Sequence, residues 1–122
     1  MRDNREFRRF NLVYHPEVYE VHTKKLFGNM VDISAGGFKV ITRKRLEQGR
    51  EYLLSIKLPE GTCDSKSVEV KASICWCGMN TDPESFISGC DLVQIDAKGR
   101  LDLTALMFAD RAKVKKNNDM SV

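Results

Sequence analysis

The stretch Lys25-Leu-Phe-Gly-Asn-Met-Val-Asp-Ile-Ser-Ala-Gly-Gly-Phe-Lys-Val-Ile-Thr42 decides the fold that we predict for this chain. Apolar residues run up to its centre and follow it, and the pair Gly36-Gly37 allows backbone conformations closed to other residues. The pattern predicts a strand, a sharp turn and a second strand. The turn also carries the Asp32 carboxylate, the Ser34 hydroxyl and the N–H groups near both glycines. Together these groups can hold a small polar ligand.

A basic segment with almost no apolar residues lies upstream of this hairpin. Residues 1–11 contain Arg2, Arg5, Arg8 and Arg9, a composition that favours a flexible arm over a strand or a packed helix. The fork of an arginine suits acceptors such as phosphate oxygens. Four residues of extended chain span at most about 13–14 Å. Arg5 and Arg9 can therefore address separate groups of one ligand.

Short apolar runs separated by turn residues follow the arm along most of the chain. We predict these strands, besides the hairpin, at residues 12–23, 52–58, 68–76 and 85–95. The run at 68–76 has the clearest alternation of apolar and polar residues. Strands joined by turns, with no helix between them, predict an all-β fold, an antiparallel sheet that closes into a small barrel.

The pattern changes after this last strand. Over residues 96–113 the alternation ends, and Leu103, Leu106 and Met107 fall on one helical face. We predict a C-terminal α-helix that packs across the barrel. Residues 113–122 lack both periodicity and bulk, so we predict a disordered tail there.

Composition limits the size and the class of the protein. A chain of 122 residues suits one domain with one core. Lys and Arg outnumber Asp and Glu by 20 to 17, so any anion site must be local rather than a general basic surface. We find no signal-peptide-like run and no apolar stretch of membrane-spanning length. We therefore expect a cytoplasmic protein that does not insert into a membrane.

The cysteines and histidines do not form the pattern of a metal site. Cys63, Cys75, Cys77 and Cys90 contain no Cys-x-x-Cys pair, and only two histidines are available to supplement them. An enzyme such as a phosphodiesterase would need a metal-ligand cluster or a positioned acid–base pair. We predict reduced thiols, no metal, no cofactor, no catalytic residue and no enzymatic activity.

Two motifs, taken together, point to a family. Arg5-x-x-x-Arg9 and, downstream, Asp32-x-Ser34-x-x-Gly37 resemble the two signature motifs of the PilZ domain family, the bacterial receptors for cyclic di-GMP. The resemblance covers roughly residues 4–110. It implies a small six-stranded antiparallel β-barrel with the helix over residues 12–112, preceded by the flexible arm 1–11. The sequence departs from the family in having Asn4 before Arg5, where many members carry another arginine.

The resemblance assigns a ligand site to both motifs. The ligand-binding residues that we predict are Arg5, Arg9, Asp32, Ser34, Gly36 and Gly37. The Asp32 carboxylate suits N1–H and N2–H₂ of guanine, whereas Ser34 and the N–H groups near the glycines suit phosphate or O6. The fork of an arginine matches O6 and N7 of guanine and matches phosphate oxygens equally well, so which arginine takes base and which takes phosphate stays open. The alternative is a solvated arm and a turn whose polar groups satisfy one another.

Two further residues are candidate contacts. Either Arg8 or Arg2 could compensate for the missing arginine at Asn4, and of the two we count Arg8 as a candidate contact. Trp76 would stack on a guanine if it lay at the barrel rim. In the alternation of the strand at 68–76, however, Trp76 falls on the same face as the apolar residues from Val68 to Ile74, so we assign Trp76 to the core.

These residues favour a cyclic di-GMP receptor that converts ligand binding into a signal to an unidentified protein effector. In this family such a signal controls motility, biofilm or exopolysaccharide systems. A first alternative keeps the PilZ fold as an adaptor that binds no ligand and acts only through protein contacts. A second alternative is a small barrel that binds single-stranded nucleic acid, which would need aromatic residues over one face and a broad basic groove. We expect no nucleic-acid polymer as partner.

Overall fold

The computed structural model describes the backbone of residues 10–120 and the side chains of residues 10–109. This part of the chain forms seven strands followed by one helix. The elements are β1 (Phe10–Asn11), β2 (Glu17–Glu20), β3 (Leu26–Ile33), β4 (Gly37–Thr42), β5 (Glu51–Lys57), β6 (Ser67–Met79), β7 (Phe86–Gln94) and α1 (Ala97–Met120). The predicted class, all-β with a C-terminal helix, is confirmed.

Six of the strands form a closed antiparallel barrel. The order around it is β3-β2-β5-β6-β7-β4, and β4 pairs back onto β3. Closure satisfies the backbone groups that an open sheet would leave at its edges. The short strand β1 is an extra element on the end of β3, where Phe10 pairs with Ile33 and Asn11 with Asp32.

Alternate residues of the strands fill the barrel. In β6 the inward residues are buried while Glu69, between them, is exposed, as the alternation predicted. The fully buried side chains include Phe38 and Met30 from the hairpin strands and Leu54 from β5. Burying a side chain of this size stabilises the fold by roughly 1.5–3 kcal/mol, so this core holds the barrel together.

The first predicted strand, residues 12–23, is shorter in the structure. It is reduced to β2, which begins just after Pro16. Proline has no N–H to donate, but its buried carbonyl accepts the N–H of Met30 at 2.9 Å. The end of the predicted arm also differs, because residues 10 and 11 form β1. Residues 1–9, the rest of the arm, lie outside the described part of the chain.

The helix α1 begins with a cap and packs one face on the barrel. Asp96 Oδ1 accepts the N–H of Gly99 at 2.6 Å, which satisfies a donor of the first turn. Leu103 and Leu106 are buried in the core, as predicted. The helix runs to Met120, whereas the sequence pattern predicted a disordered tail from residue 113. The added residues contain neither glycine nor proline, so nothing in them interrupts a helix. Among the described residues, no helix has the apolar length needed to cross a bilayer.

Asp102 fastens α1 to the loop between β5 and β6. A hydrogen bond with the Ser65 side chain lowers the pKa of this carboxyl, and Cys63 and Lys98 act in the same direction. The Lys98 ammonium lies 3.7 Å from Asp102 Oδ2. The carboxylate is therefore the form that the folded protein prefers.

We predict that Asp102→Asn lowers the melting temperature at pH 7 by a few degrees. Because folding lowers the pKa from its ordinary 3.8, the contribution of the carboxylate is present above that value and is lost as the pH falls through the folded pKa. The gap between variant and wild type should thus close in acid. Thermal melts from pH 7 to pH 3 measure it, with Asp64→Asn in the same loop as control. A gap independent of pH would contradict this assignment.

Candidate ligand-binding site

The predicted hairpin is present, with its turn between β3 and β4. The Ser34 N–H donates to the Gly37 carbonyl at 2.8 Å, and the Ser34 hydroxyl donates to the same oxygen at 3.3 Å. Gly37 is required for space, since a Cβ there would overlap the carbonyl oxygen of Cys90. Gly37 does not adopt a left-handed backbone conformation, because among the described glycines only Gly49 and Gly61 have a positive φ.

The Asp32 carboxylate is held by the facing strand. Only 2% of Asp32 is exposed, and its Oδ1 accepts the backbone N–H of Lys39 at 3.0 Å. Its Oδ2 lies 3.5 Å from the Lys39 ammonium, whose side chain is 36% exposed. Sequence reasoning missed Lys39. The signal was available, because a hairpin closed by Ser34 and Gly37 brings residues 32 and 39 opposite each other.

Two β-bulges turn site residues to the outer face of the barrel sheet, away from the core. In β3 the register shifts between Met30 and Asp32, and in β6 it shifts between Ile74 and Trp76. A bulge inserts one unpaired residue, so the side chain after it faces the other way than strict alternation predicts. Met30 and Ile74 are buried, whereas 39% of Trp76 is exposed.

The assignment of Trp76 to the core is therefore wrong. Strict alternation along β6 would put Trp76 on the same face as Ile74. The bulge between these two residues reverses the alternation, so Trp76 faces outward. The indole lies instead over Gly89 on the outer face. A Cβ on Gly89 would come within 2.6 Å of the indole Cε2. The absence of a side chain at Gly89 thus leaves room for the ring.

Outward-facing residues form a row across five neighbouring strands. Trp76 pairs with Gly89, Gly89 with Lys39, Lys39 with Asp32, and Asp32 with Asn11. Directly paired residues on antiparallel strands project from the same face. Since strands lie about 4.8 Å apart, the row from Trp76 to Asp32 is about 14 Å long. We call this set, Trp76, Gly89, Lys39 and Asp32, the outer row.

The turn at the end of the hairpin, Ser34-Ala35-Gly36-Gly37, presents open N–H groups. We call it the motif turn. Within the described residues, the amides of Ala35 and Gly36 have no hydrogen-bond acceptor. The carbonyls are occupied: that of Gly36 accepts the N–H of Leu92 at 2.9 Å, and that of Ala35 accepts Nη1 of Arg100 at 3.2 Å. Arg100 stands 65 residues away in sequence, so no local pattern could have found it.

Several residues singled out from the sequence lie elsewhere. Arg5, Arg8 and Arg9 fall outside the described residues. The basic loop that begins at Arg43 follows the far end of β4, six residues from the turn. Arg43 and Lys44 line an open groove of about 660 Å³ at that opposite end of the barrel, with acidic residues among its walls. Among the described residues that line this groove, none belongs to the Asp32-x-Ser34-x-x-Gly37 motif.

The Cys90 thiol is buried in the core, and the other three cysteines are partly buried. Burial, with lesser effects from Cys75 and other neighbours, raises the pKa of the Cys90 thiol to about 12, so it stays protonated at neutral pH. Cys77 Sγ accepts the N–H of Leu46 at 3.3 Å. No group of three metal-ligating side chains occurs among the described residues.

Comparison with known proteins supports the resemblance found in the sequence. The family model described as PilZ domain matches residues 3–109. The search for similar curated proteins finds no match.

Solved structures share the fold at low sequence identity. The PilZ domain of YcgR from Escherichia coli with c-di-GMP is 10% identical, with a TM-score of 0.72 over 96% of this chain and 98% of that one. Bacillus subtilis MotI/DgrA, an inhibitor of motility, is 21% identical, with a TM-score of 0.69 over 94% of this chain and 53% of that one. The K. pneumonia MrkH–c-di-GMP complex is 14% identical, with a TM-score of 0.68 over 96% and 57%. This chain thus spans about half the length of the MotI and MrkH chains.

We predict that Gly89→Ala displaces the indole of Trp76. The new methyl group would occupy the space of the ring, so the ring must move into solvent and its fluorescence should shift to longer wavelength. Trp76 is the sole tryptophan, so emission spectra of the purified variant report on it alone. Gly78→Ala is the control, because its Cβ would meet nothing within 4 Å. An unchanged spectrum in Gly89→Ala would show that the ring lies elsewhere.

Proposed function

Because this chain belongs to the PilZ domain family, we propose that it is a cyclic di-GMP receptor that signals to a protein effector. The observation that carries the proposal is the outer row, which places an aromatic ring, an ammonium and a carboxylate side by side next to the motif turn. Two of the similar structures, those of YcgR and MrkH, contain c-di-GMP, which supports the same ligand here.

The outer row offers complementary groups for a guanine nucleotide. The exposed face of Trp76 provides a stacking surface for a purine. Asp32 provides the acceptor for N1–H and N2–H₂ of the base. To accept these two N–H groups, the Asp32 carboxylate must give up its contact with the Lys39 ammonium. The ammonium is then available to a phosphate. The ligand thus replaces an ion pair rather than entering an empty cavity.

The motif turn offers a second set of contacts. The Ser34 hydroxyl already donates to Gly37, so in this arrangement its oxygen serves as an acceptor rather than as a phosphate donor. The amides of Ala35 and Gly36 supply the open donors, and successive N–H groups of this kind suit an anion. In this proposal Gly37 contributes by bringing the turn against β7 rather than by contacting the ligand.

The arginines of the arm would close the site from the other side. The arm joins the barrel at Phe10, whose partner Ile33 is next to Ser34. The reach of about 13–14 Å between Arg5 and Arg9 matches the outer row of about 14 Å. One arginine can then take a phosphate and the other a base. Arg8 is a further candidate on the same arm.

One observation favours a second candidate function, an adaptor that binds no ligand. The polar groups of Asp32 and Ser34 have partners within the hairpin, so the turn is stable as it stands. Such a protein would act through protein contacts alone. Titration with cyclic di-GMP separates the two candidates. The motility role in the description of MotI makes a motility system the first place to search for the effector.

We predict that cyclic di-GMP binds and that cyclic di-AMP binds much more weakly. Adenine presents a donor at N6 where guanine has the acceptor O6, and it lacks the N1–H that Asp32 would accept. Calorimetric titration of both ligands measures the difference and the stoichiometry. Equal affinities would refute base recognition by these residues.

We predict that Arg5→Ala and Arg9→Ala each weaken binding by about 1.5–3 kcal/mol, the range for hydrogen bonds to charged groups, with little effect on melting temperature. Asp32→Ala should weaken binding and also destabilise the hairpin, because the N–H of Lys39 loses its acceptor. Arg43→Ala, at the opposite end of the barrel, controls for loss of one positive charge. Wild-type affinity in both arm variants would show that residues outside the arm hold the ligand.

We expect the arm to become ordered on the barrel when ligand binds. Its many charges and few apolar residues give it little reason to pack without an anion. Hydrogen exchange should show new protection of amides 4–9 on adding cyclic di-GMP, with little change in β6. Leu12 already donates to Val31 at 2.9 Å and should be protected throughout. Full protection of amides 4–9 without ligand would exclude this switch.

A further inference from the structure

Arg100 connects the C-terminal helix to the motif turn. Its Nη1 donates to the Ala35 carbonyl at 3.2 Å, although the two residues are 65 positions apart. Ala35 lies between Ser34 and Gly36, inside the turn that carries the open N–H groups. An exposed guanidinium with further N–H donors therefore sits directly beside them.

The backbone of Arg100 is held rigidly in this place. Its N–H donates to the Asp96 carbonyl at 3.0 Å in the capped first turn of α1. The preceding residue, Gly99, packs so closely that a Cβ would come within 3.0 Å of Val68 on β6. Leu103, three residues on, is buried in the core. The guanidinium can thus change partners by side-chain rotation while the helix keeps its position.

A hydrogen bond to a neutral carbonyl is a weaker use of an arginine than a contact with an anion. Charge-assisted hydrogen bonds are roughly twice as strong as neutral ones. A phosphate held by the amides of Ala35 and Gly36 would lie within reach of the same guanidinium. Arg100 would then leave the Ala35 carbonyl, which is exposed to solvent and can accept a water instead.

We propose that Arg100 is an additional ligand-binding residue, which holds the Ala35 carbonyl when the site is empty and a phosphate of cyclic di-GMP when it is occupied. This inference rests on the proposed function. It adds a third arginine to the site, from the opposite end of the chain to Arg5 and Arg9. It also makes the first turn of α1 respond to ligand, because the contact between α1 and the motif turn is exchanged.

The test is calorimetric titration of the full chain with cyclic di-GMP at several salt concentrations. Arg100→Ala should bind about 10-fold more weakly or worse, and Arg100→Lys should lie between it and wild type, since lysine keeps the charge but loses the fork. The dependence of affinity on salt should become shallower in Arg100→Ala, because one contact with the anion is gone. A purely structural role would lower affinity and leave the salt dependence unchanged.

Arg43→Ala is the matched control, because it removes one exposed arginine at the opposite end of the barrel. It should keep both the affinity and the salt dependence of wild type.

The outcomes separate the two proposals. Wild-type affinity and salt dependence in Arg100→Ala, with tight binding by the wild type, would overturn the role of Arg100 and leave the receptor function standing. Failure of the wild type to bind cyclic di-GMP would overturn both.

Discussion

The two β-bulges are the constraint on which the candidate site depends. Each adds one residue to a strand and so reverses which side chains face the core. Without the bulge before it, Asp32 would share the inward phase of Met30, and a carboxylate in that apolar interior would cost several kcal/mol. Trp76 would likewise fill the core behind Ile74. The same two irregularities keep the core apolar and turn both a carboxylate and an indole to the outer face of the sheet, where Asp32 is buried and the indole is partly exposed.

Opening the Asp32 contact has to be offset by the hydrogen bonds that a guanine would supply. The Lys39 ammonium is 36% exposed and lies 3.5 Å from the carboxylate, whose own side chain is only 3% exposed. Hydrogen bonds to a charged group are worth about 1.5–3 kcal/mol each, and guanine offers two N–H donors on one edge. The backbone bond from Lys39 to Oδ1 can remain throughout. Lys39 can therefore hold the carboxylate in place before ligand arrives without blocking it.

Local sequence patterns predicted most of the elements because the strands alternate apolar and polar residues over most of their length and end at turn residues, whereas the six-stranded barrel was implied by the family resemblance. The hairpin, β5, β6, β7 and the buried face of α1 follow from those patterns. Trp76 could not be placed correctly, since a bulge depends on pairing with a distant strand and leaves the one-dimensional alternation intact. Lys39 could have been found from the hairpin register. Arg100 could not, because its link to Ala35 exists only once the barrel has closed.

A closed barrel has no free edge and little freedom to rearrange, so any change caused by a ligand must be carried by segments attached to it. The segments at both ends of the domain are attached next to the motif turn. The N-terminal arm joins at Phe10, beside Ile33, and α1 reaches the Ala35 carbonyl through Arg100. The turn between these points is fixed by Gly37 against β7 and by Ser34. A ligand bound there would change the contacts of both ends at once while the barrel stays fixed, which is what a small module needs to turn occupancy into a new surface.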